Sequence, residues 1–409
     1  MEPDATSTVL ASALAELVEA SHLMAPEDLP AAADEAARRL GALGCRIHLV
    51  TRDQRALRPL LGRGRTDESA SLEGTLAGRA FRHSEVMVST ADGARLWVPL
   101  LDGTERLGVC QVEVAEEADL ERLRRPSLAL ASLVAELVIS KGQYTDSFEK
   151  TRRAVPMGVP AELLWRQLPP TTFATDRFVI TALLEPWHEV GGDAFDYSLD
   201  GDVLHVAVFD GMGHGLSAAL LASVALAAYR NARRGGRTLL ETAEVVDDVL
   251  EQQFGDDSFV TGVLGRLDLT TGTLAVLCAA HPAPLLVRDG RPVGEVSVDP
   301  GPPLGFGVRE DRVLEVSLQP GDRLVLFSDG VVEARSAEGD FFGLERLLDL
   351  VTRHESNRQP PPETLRRLIL AVLEHQQDML QDDATVLMLE WAGDPRALLP
   401  SDMVPSPLP

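Results

Sequence analysis

The chain is short of cysteine, of positive charge and of long apolar runs, and each shortage closes off a class of protein. Three cysteines in 409 residues, Cys45, Cys110 and Cys278, cannot frame a disulfide-built scaffold. Each lies in an apolar, strand-like run, which predicts small buried side chains rather than metal ligands or disulfide partners. Lysine and arginine number 38 against 63 aspartates and glutamates, a formal charge of −25. That balance opposes non-specific binding to nucleic acid and to anionic lipid. The longest apolar helical stretch, around Ala218 to Ala228, is too short to span a bilayer and contains Ser223. Glu2 and Asp4 stand where a secretory signal would carry basic residues. A cytoplasmic protein is expected, with no membrane and no nucleic acid among its partners. The length allows roughly two to three domains, each able to bury its own core.

What is present falls into regions. The first opens with a helical pattern, Leu10, Leu14, Leu17 and Val18, and a second helix over Leu29–Leu43 that Gly44 closes. A strand follows at Cys45–Thr51, then a short helix at Leu76–Phe81 beside Val86–Ser89. Leu96–Leu101 and Leu107–Val114 read as a strand pair across the turn Asp102-Gly103-Thr104-Glu105. This order, with Trp97-Val98-Pro99-Leu100 and Gly108-Val109-Cys110, resembles a GAF domain, a fold that senses small molecules or signals. The resemblance implies a sensor domain over residues 1–140 that takes an unidentified small-molecule ligand. A helical stripe from Leu120 to Val138 follows, which Pro126 is expected to break. Before about Ile139 it reads as the closing helix of the sensor packing on its own sheet, in preference to a dimerising signalling helix; a homodimer is expected. Residues 141–170 form a helical linker whose Leu163–Leu168 segment is read as a coupling element. A tail over 394–409, with Pro395, Pro400, Pro405, Pro407 and Pro409, is expected to be disordered.

Residues 171–393 alternate short apolar runs with four helices. Strands are expected at Phe178–Leu184, Val203–Phe209, Phe259–Leu269, Thr273–Ala280, Leu285–Arg288, Arg312–Leu318, Arg323–Phe327 and Thr385–Trp391. Helices fit Leu216–Arg234, Leu239–Phe254, Gly343–Arg353 and Pro362–Gln377. The turn Thr270-Thr271-Gly272 makes a hairpin, which favours antiparallel pairing.

The acids of this region carry its chemistry. Val203–Phe209 and Leu324–Phe327 read as buried strands that run into Asp210-Gly211 and Asp329-Gly330. Unpaired carboxylates in a dry setting are costly, so several of them at strand ends suggest an oxygen-ligand site for Mg²⁺ or Mn²⁺. Any single Asp-Gly is more simply a tight turn. Two further acidic clusters, Asp193-Ala194-Phe195-Asp196 and Asp382-Asp383, shift the balance toward metal.

Four motifs stand in order: Glu189-Val190-Gly191-Gly192-Asp193-Ala194-Phe195-Asp196, Phe209-Asp210-Gly211-Met212-Gly213-His214-Gly215, Phe327-Ser328-Asp329-Gly330-Val331-Val332-Glu333-Ala334, and Gln381-Asp382-Asp383-Ala384-Thr385. Over about residues 160–392 the chain resembles the bacterial branch of the PPM-type, or protein phosphatase 2C-like, serine/threonine phosphatases. That branch includes the stage II sporulation phosphatase and stress-response phosphatases acting on anti-anti-sigma factors. The resemblance implies an α+β fold, an α-β-β-α sandwich of two antiparallel sheets between helix pairs, behind the GAF-like domain. It also implies a phosphorylated anti-anti-sigma-type protein as substrate.

Two Mn²⁺ or Mg²⁺ ions are implied as cofactors, with a third possible. Two cations about 3.5–4 Å apart can activate one water and neutralise charge on a phosphoryl group. Asp210 would bridge them, the Gly211 carbonyl would add a ligand, and Asp329 and Asp382 would complete one ion. Asp193 would support the second, directly or through water. Asp196 reads equally as support for a ligand or as a hydrogen-bonded turn residue. Asp383 stands in reserve for Asp382, and Thr385 is expected to bond locally. His214 and His281 read as turn and loop histidines rather than catalysts. Asp247-Asp248 and Asp256-Asp257 read as solvated charge. The segment Ala182–Val190 lacks the arginine that eukaryotic members use for phosphate, which leaves that task to metals and waters. Two other functions fit the same residues: a non-catalytic pseudophosphatase binding module and a small-molecule phosphoesterase.

Overall fold

The computed structural model describes residues 5–61, 69–90, 93–116, 118–185, 191–255, 257–308, 312–356, 359–377, 380–392 and 395–403. Its chain divides into two compact units, Met1–Ala154 with Arg396–Pro409, and Val155–Pro395.

The first unit holds a six-stranded antiparallel sheet in the order β3-β2-β1-β6-β5-β4. Its strands are β1 (Gly44–Val50), β2 (Ala56–Pro59), β3 (Ala70–Ser71), β4 (Met87–Ser89), β5 (Arg95–Asp102) and β6 (Glu105–Glu113). The helices are α1 (Ala5–Ser21), α2 (Leu29–Arg39), α3 (Leu76–His83), α4 (Leu120–Gly142) and α5 (Ser147–Arg152). Side chains alternate across the sheet. Ile47, Leu49, Leu96 and Val98 pack on Ala33 of α2 and on Leu130 and Val134 of α4. Val50, Leu57 and Val109 face Ala77, Ala80 and Phe81 of α3 instead. The β5–β6 hairpin closes at Asp102 and Glu105, as its turn residues predict.

Three features of this unit depart from the sequence reading. Helix α4 continues past Pro126 rather than ending there. The helical φ of proline fits there, and the turns beyond it bury Leu128, Leu130, Ala131 and Val134. Helix α2 is ended by Gly41, whose φ of +94° suits glycine, while Gly44 opens β1. Within the segment expected to be disordered, Pro395–Leu398 forms a 3₁₀ turn, Met403 packs on the core of the first unit, and Asp402 pairs with Arg124.

The second unit contains two antiparallel sheets. Its strands are β7 (Thr172–Ala174), β8 (Phe178–Glu185), β9 (Asp193–Asp200), β10 (Val203–Gly211), β11 (Val260–Asp268) and β12 (Thr273–Ala279). They continue with β13 (Leu285–Arg288), β14 (Arg291–Glu295), β15 (Val313–Ser317), β16 (Arg323–Phe327) and β17 (Ala384–Trp391). One sheet runs β15-β12-β11-β10-β9 and the other β14-β13-β16-β17-β8-β7. Its helices are α6 (Val159–Trp165), α7 (Leu216–Arg234), α8 (Leu239–Phe254), α9 (Asp329–Val332), α10 (Leu344–Ser356) and α11 (Pro361–His375).

Period-two burial builds the layers. Leu324 and Leu326 of β16 share a core with Leu204, Val206 and Val208 of β10, so the two sheets stack. Val325 and Phe327 of the same β16 point the other way, onto Leu347 of α10 and Leu368 and Val372 of α11. Helices α7 and α8 cover the outside of the first sheet, where Tyr229 meets Phe209 edge-on. The result is a mixed α+β fold of antiparallel sheets between helices. Helix α6 belongs to this unit, with Ala161 and Leu164 fully buried in its core. Asp247, expected to be solvated, is 1% exposed and accepts from the Gly305 and Phe306 N–H groups at 2.6 and 3.1 Å. Its neighbour Asp248 is exposed, as is Asp257, whereas Asp256 lies outside the described residues. Among the described residues no helix is long and apolar enough to cross a membrane.

Candidate active site

Strand register brings the first two acids together. Asp193 opens β9 and stands directly opposite Asp210 near the end of β10. Opposed residues of an antiparallel pair point to the same face with Cβ atoms about 4.5–5.5 Å apart, and like charges there are destabilising. Secondary structure alone gives no reason for such a pair. Asp193 is 2% exposed, and its Oδ2 is buried without a hydrogen-bond partner. Burial first, then the charges of Asp210 and Asp383, hold its carboxyl well above the usual range. The Ser328 and Thr385 hydroxyls pull the other way, although neither closes a well-formed bond to Oδ2.

The second sheet supplies the remaining acids. Asp329 follows β16 at the start of α9, and Asp382 precedes β17, the hydrogen-bonded neighbour of β16. The two strand ends are laced together: the Ser328 N–H donates to the Thr385 carbonyl at 3.0 Å, and the Thr385 N–H donates to Ser328 Oγ at 3.0 Å. A Cβ on Gly330 would stand 1.9 Å from the Asp383 carbonyl oxygen, so only glycine permits this approach. Burial, followed by the charges of Asp329, Asp382 and Asp383, pushes the Asp210 carboxyl up to about 7. Asp329 is raised by burial and then by Asp382 and Glu333. Asp193, Asp210, Asp329 and Asp382 therefore form one electrostatic cluster drawn from both sheets.

The donors fit a hard divalent cation in kind, being carboxylate oxygens with an orphaned buried oxygen on Asp193. Among the described residues, however, no three His, Cys, Asp or Glu side chains converge closely enough to hold an ion as they stand. Side-chain rotation would have to close the set. Gly211 donates its N–H to the Gly192 carbonyl at 3.0 Å, and a Cβ on Gly192 would meet the Gly211 carbonyl oxygen at 2.3 Å. That contact keeps β9 tight against the end of β10.

The neighbouring residues sort by what they touch. Asp383 is buried and accepts from the N–H groups of Gly191, Gly192 and Asp193 at 2.6, 2.9 and 3.2 Å, which braces the turn into β9. Its neighbour Asp382 is exposed and accepts from the Asp383 N–H at 2.9 Å through Oδ1. Asp196 is no turn residue. It sits three positions after Asp193 on the same strand, hence on the opposite face, where Arg230 and Arg233 of α7 bind it at 2.7 and 2.9 Å. His214 is exposed just before α7, between Gly213 and Gly215. His281 is 6% exposed and bridges Thr261 and Phe327, a role that sequence reasoning missed. Residues 186–190, which include Glu189 and Val190 and make up most of the arginine-free segment Ala182–Val190, lie outside the described residues.

Residues 200–392 match the family profile of stage II sporulation protein E (SpoIIE), a span that includes Asp210, Asp329 and Asp382 and begins after Asp193. The second unit carries a domain of the SpoIIE, PP2C-type phosphatase class. The phosphoserine phosphatase RsbU of Bacillus subtilis strain 168 is 25% identical over 214 residues, 51% of this chain and 62% of that protein. Protein IcfG of Synechocystis sp. PCC 6803 is 24% identical over 238 residues, 51% of this chain and 37% of that protein. The chain thus spans less than two thirds of the length of these curated relatives. Among solved structures, the RsbU and RsbW domains of Rv1364c from Mycobacterium tuberculosis share 30% identity, with 53% of this chain and 61% of that chain covered and a TM-score of 0.46. By its family profile and curated relatives, this domain is similar to the sporulation and stress-regulator branch of the PPM phosphatases.

Proposed function

We propose that the chain is a metal-dependent protein phosphatase acting on phosphoserine or phosphothreonine. The observation that carries this reading is the direct opposition of Asp193 and Asp210, joined by the charges of Asp329 and Asp382 from the other sheet. Such crowding is unfavourable in a metal-free protein and becomes favourable when cations neutralise it. Asp210, Asp329, Asp382 and the Gly211 carbonyl would hold one Mn²⁺ or Mg²⁺, and Asp193 with Asp210 a second. When bound, the ions supply activation of water and charge neutralisation at a phosphoryl group. The chain's own part is to hold these oxygens in place: Asp383 braces the Asp193 turn, and the Ser328–Thr385 lacing fixes the Asp329 and Asp382 strand ends.

The preferred substrate is a phosphorylated anti-anti-sigma-type protein, in line with the resemblance to sporulation and stress regulators. The first unit is read as a GAF-like sensor with a small-molecule ligand, the protein as a cytoplasmic homodimer, and α6 as the element through which the sensor acts. The test is hydrolysis of a phosphoserine protein with Mn²⁺, with Mg²⁺ and with chelator. Activity should require the metal, and Asp329→Asn should lower turnover about 10²-fold or more while the protein stays folded. Full turnover in chelator would exclude the metal mechanism, and metal binding without turnover on any phosphoester would favour a binding module.

A further inference from the structure

We propose that His281 is a positioning residue that fixes the separation between the strand end carrying Asp210 and the strand end carrying Asp329. The ring lies where the two sheets meet. Its Nε2 is 3.1 Å from the Phe327 carbonyl oxygen and its Nδ1 is 2.9 Å from Thr261 Oγ1. A carbonyl can only accept, so Nε2 carries the hydrogen, and bare Nδ1 accepts from the Thr261 hydroxyl. Thr261 belongs to β11 and stands directly opposite Asp210. Phe327 ends β16, two residues before Asp329. These strands belong to different sheets, so no ladder bond sets their spacing. The imidazole spans that gap beside the acids that must share charge. Burial holds the ring well below its usual pKa, at about 4, so the strut is neutral and adds no positive charge to a cation site.

The segment that delivers the ring is constrained. Ala280 has a φ of +49°, a left-handed conformation that side-chain-bearing residues seldom adopt. It is held there by its N–H to the Gly301 carbonyl at 3.0 Å, while the Gly301 N–H donates to the Cys278 carbonyl at 2.8 Å. The Cys278 thiol in turn donates to the His281 carbonyl at 3.0 Å. Strain of this kind persists where the surroundings over-determine a position.

The inference rests on the metal reading above, and its test separates the two. Mn²⁺ binding to the full chain is measured by calorimetry, with melting curves in chelator, for wild type, Thr261→Val, Thr261→Ser, His281→Leu and Asp329→Asn. Losing a hydrogen-bonded outer partner of a metal ligand typically costs 10–100-fold in affinity, and Thr261 and His281, which act through strand spacing, belong at the low end of that range. Thr261→Val is expected to weaken Mn²⁺ about tenfold, Thr261→Ser to restore it, and His281→Leu to weaken it at least as far. If His281→Leu does not fold, the Thr261 pair decides the matter. Folded Thr261→Val with wild-type Mn²⁺ affinity, beside a weakened Asp329→Asn, overturns the positioning role and leaves the metal reading intact. Absence of Mn²⁺ binding to wild type overturns both.

Discussion

Two aspartates three residues apart on β9 should respond in opposite ways to the same change. Asp196 faces the helix layer, 2% exposed at its side chain, with Arg230 Nη2 at 2.7 Å and Arg233 Nη1 at 2.9 Å. Removing one partner of a buried ion pair costs about 3–5 kcal/mol because the remaining charge is left uncompensated. Arg230 is 21% exposed and can recover some hydration, whereas Arg233, at 9%, cannot. Asn also retains an acceptor, so Asp196→Asn should cost about 3 kcal/mol. The unit Val155–Pro395 has 395 − 155 + 1 = 241 residues. For that size a loss of 1 kcal/mol lowers Tm by about 2–4 °C, so a fall of roughly 6–12 °C is expected. Asp193→Asn removes an ionisable carboxyl that burial and the charges of Asp210 and Asp383 disfavour in its charged form, and should leave the metal-free protein as stable as wild type or more so. Scanning calorimetry in chelator measures both, and Mn²⁺ titration completes the comparison. Asp196→Asn should keep Mn²⁺ affinity within about threefold, since nothing it touches is a proposed ligand, whereas Asp193→Asn should lose at least tenfold. An unshifted Tm with lost Mn²⁺ binding in Asp196→Asn would refute the assignment of the two faces.

Three further outcomes follow from other contacts. Gly330→Ala places a Cβ 1.9 Å from the Asp383 carbonyl, so it should cost about 1–3 kcal/mol and weaken Mn²⁺ binding; unchanged values for both would mean the two loops yield freely. In the first unit, burial holds the His48 ring down to about 4, below its unfolded value of 6.5. The folded state then binds fewer protons, so stability is present above pH 6.5 and lost as pH falls toward 4, by up to about 3 kcal/mol. Urea unfolding of that unit at several pH values should show this loss in wild type and a flatter profile in His48→Phe; parallel profiles count against it. Leu164→Ala, fully buried in the second unit, should destabilise that unit by about 2–5 kcal/mol, whereas altered activity at unchanged stability would instead favour a pure signalling role for α6.

The sequence by itself determined the elements whose signal is local. The apolar runs into Asp210-Gly211 and Asp329-Gly330 became β10 and β16, and Leu216–Arg234 and Leu239–Phe254 became helices with those same bounds, because hydrophobic periodicity and capping residues act within a few positions. It missed β9, since Asp193–Asp200 reads as an acidic stretch until a partner strand gives it two faces. Tertiary structure alone decided which acids are functional candidates. Asp193, Asp196, Asp247 and Asp383 are alike in sequence and all buried, yet one lies opposite Asp210, one between two arginines, and two on backbone N–H groups. His281 shows the same limit. A His-Pro pair in a loop carries no mark of burial, and its two bonds exist only because β11 and β16 come from separate sheets that stack. The chain's local pattern fixes where a carboxylate or imidazole sits along a strand. What it faces depends on register and on sheet packing, which are properties of distant residues brought together by the core.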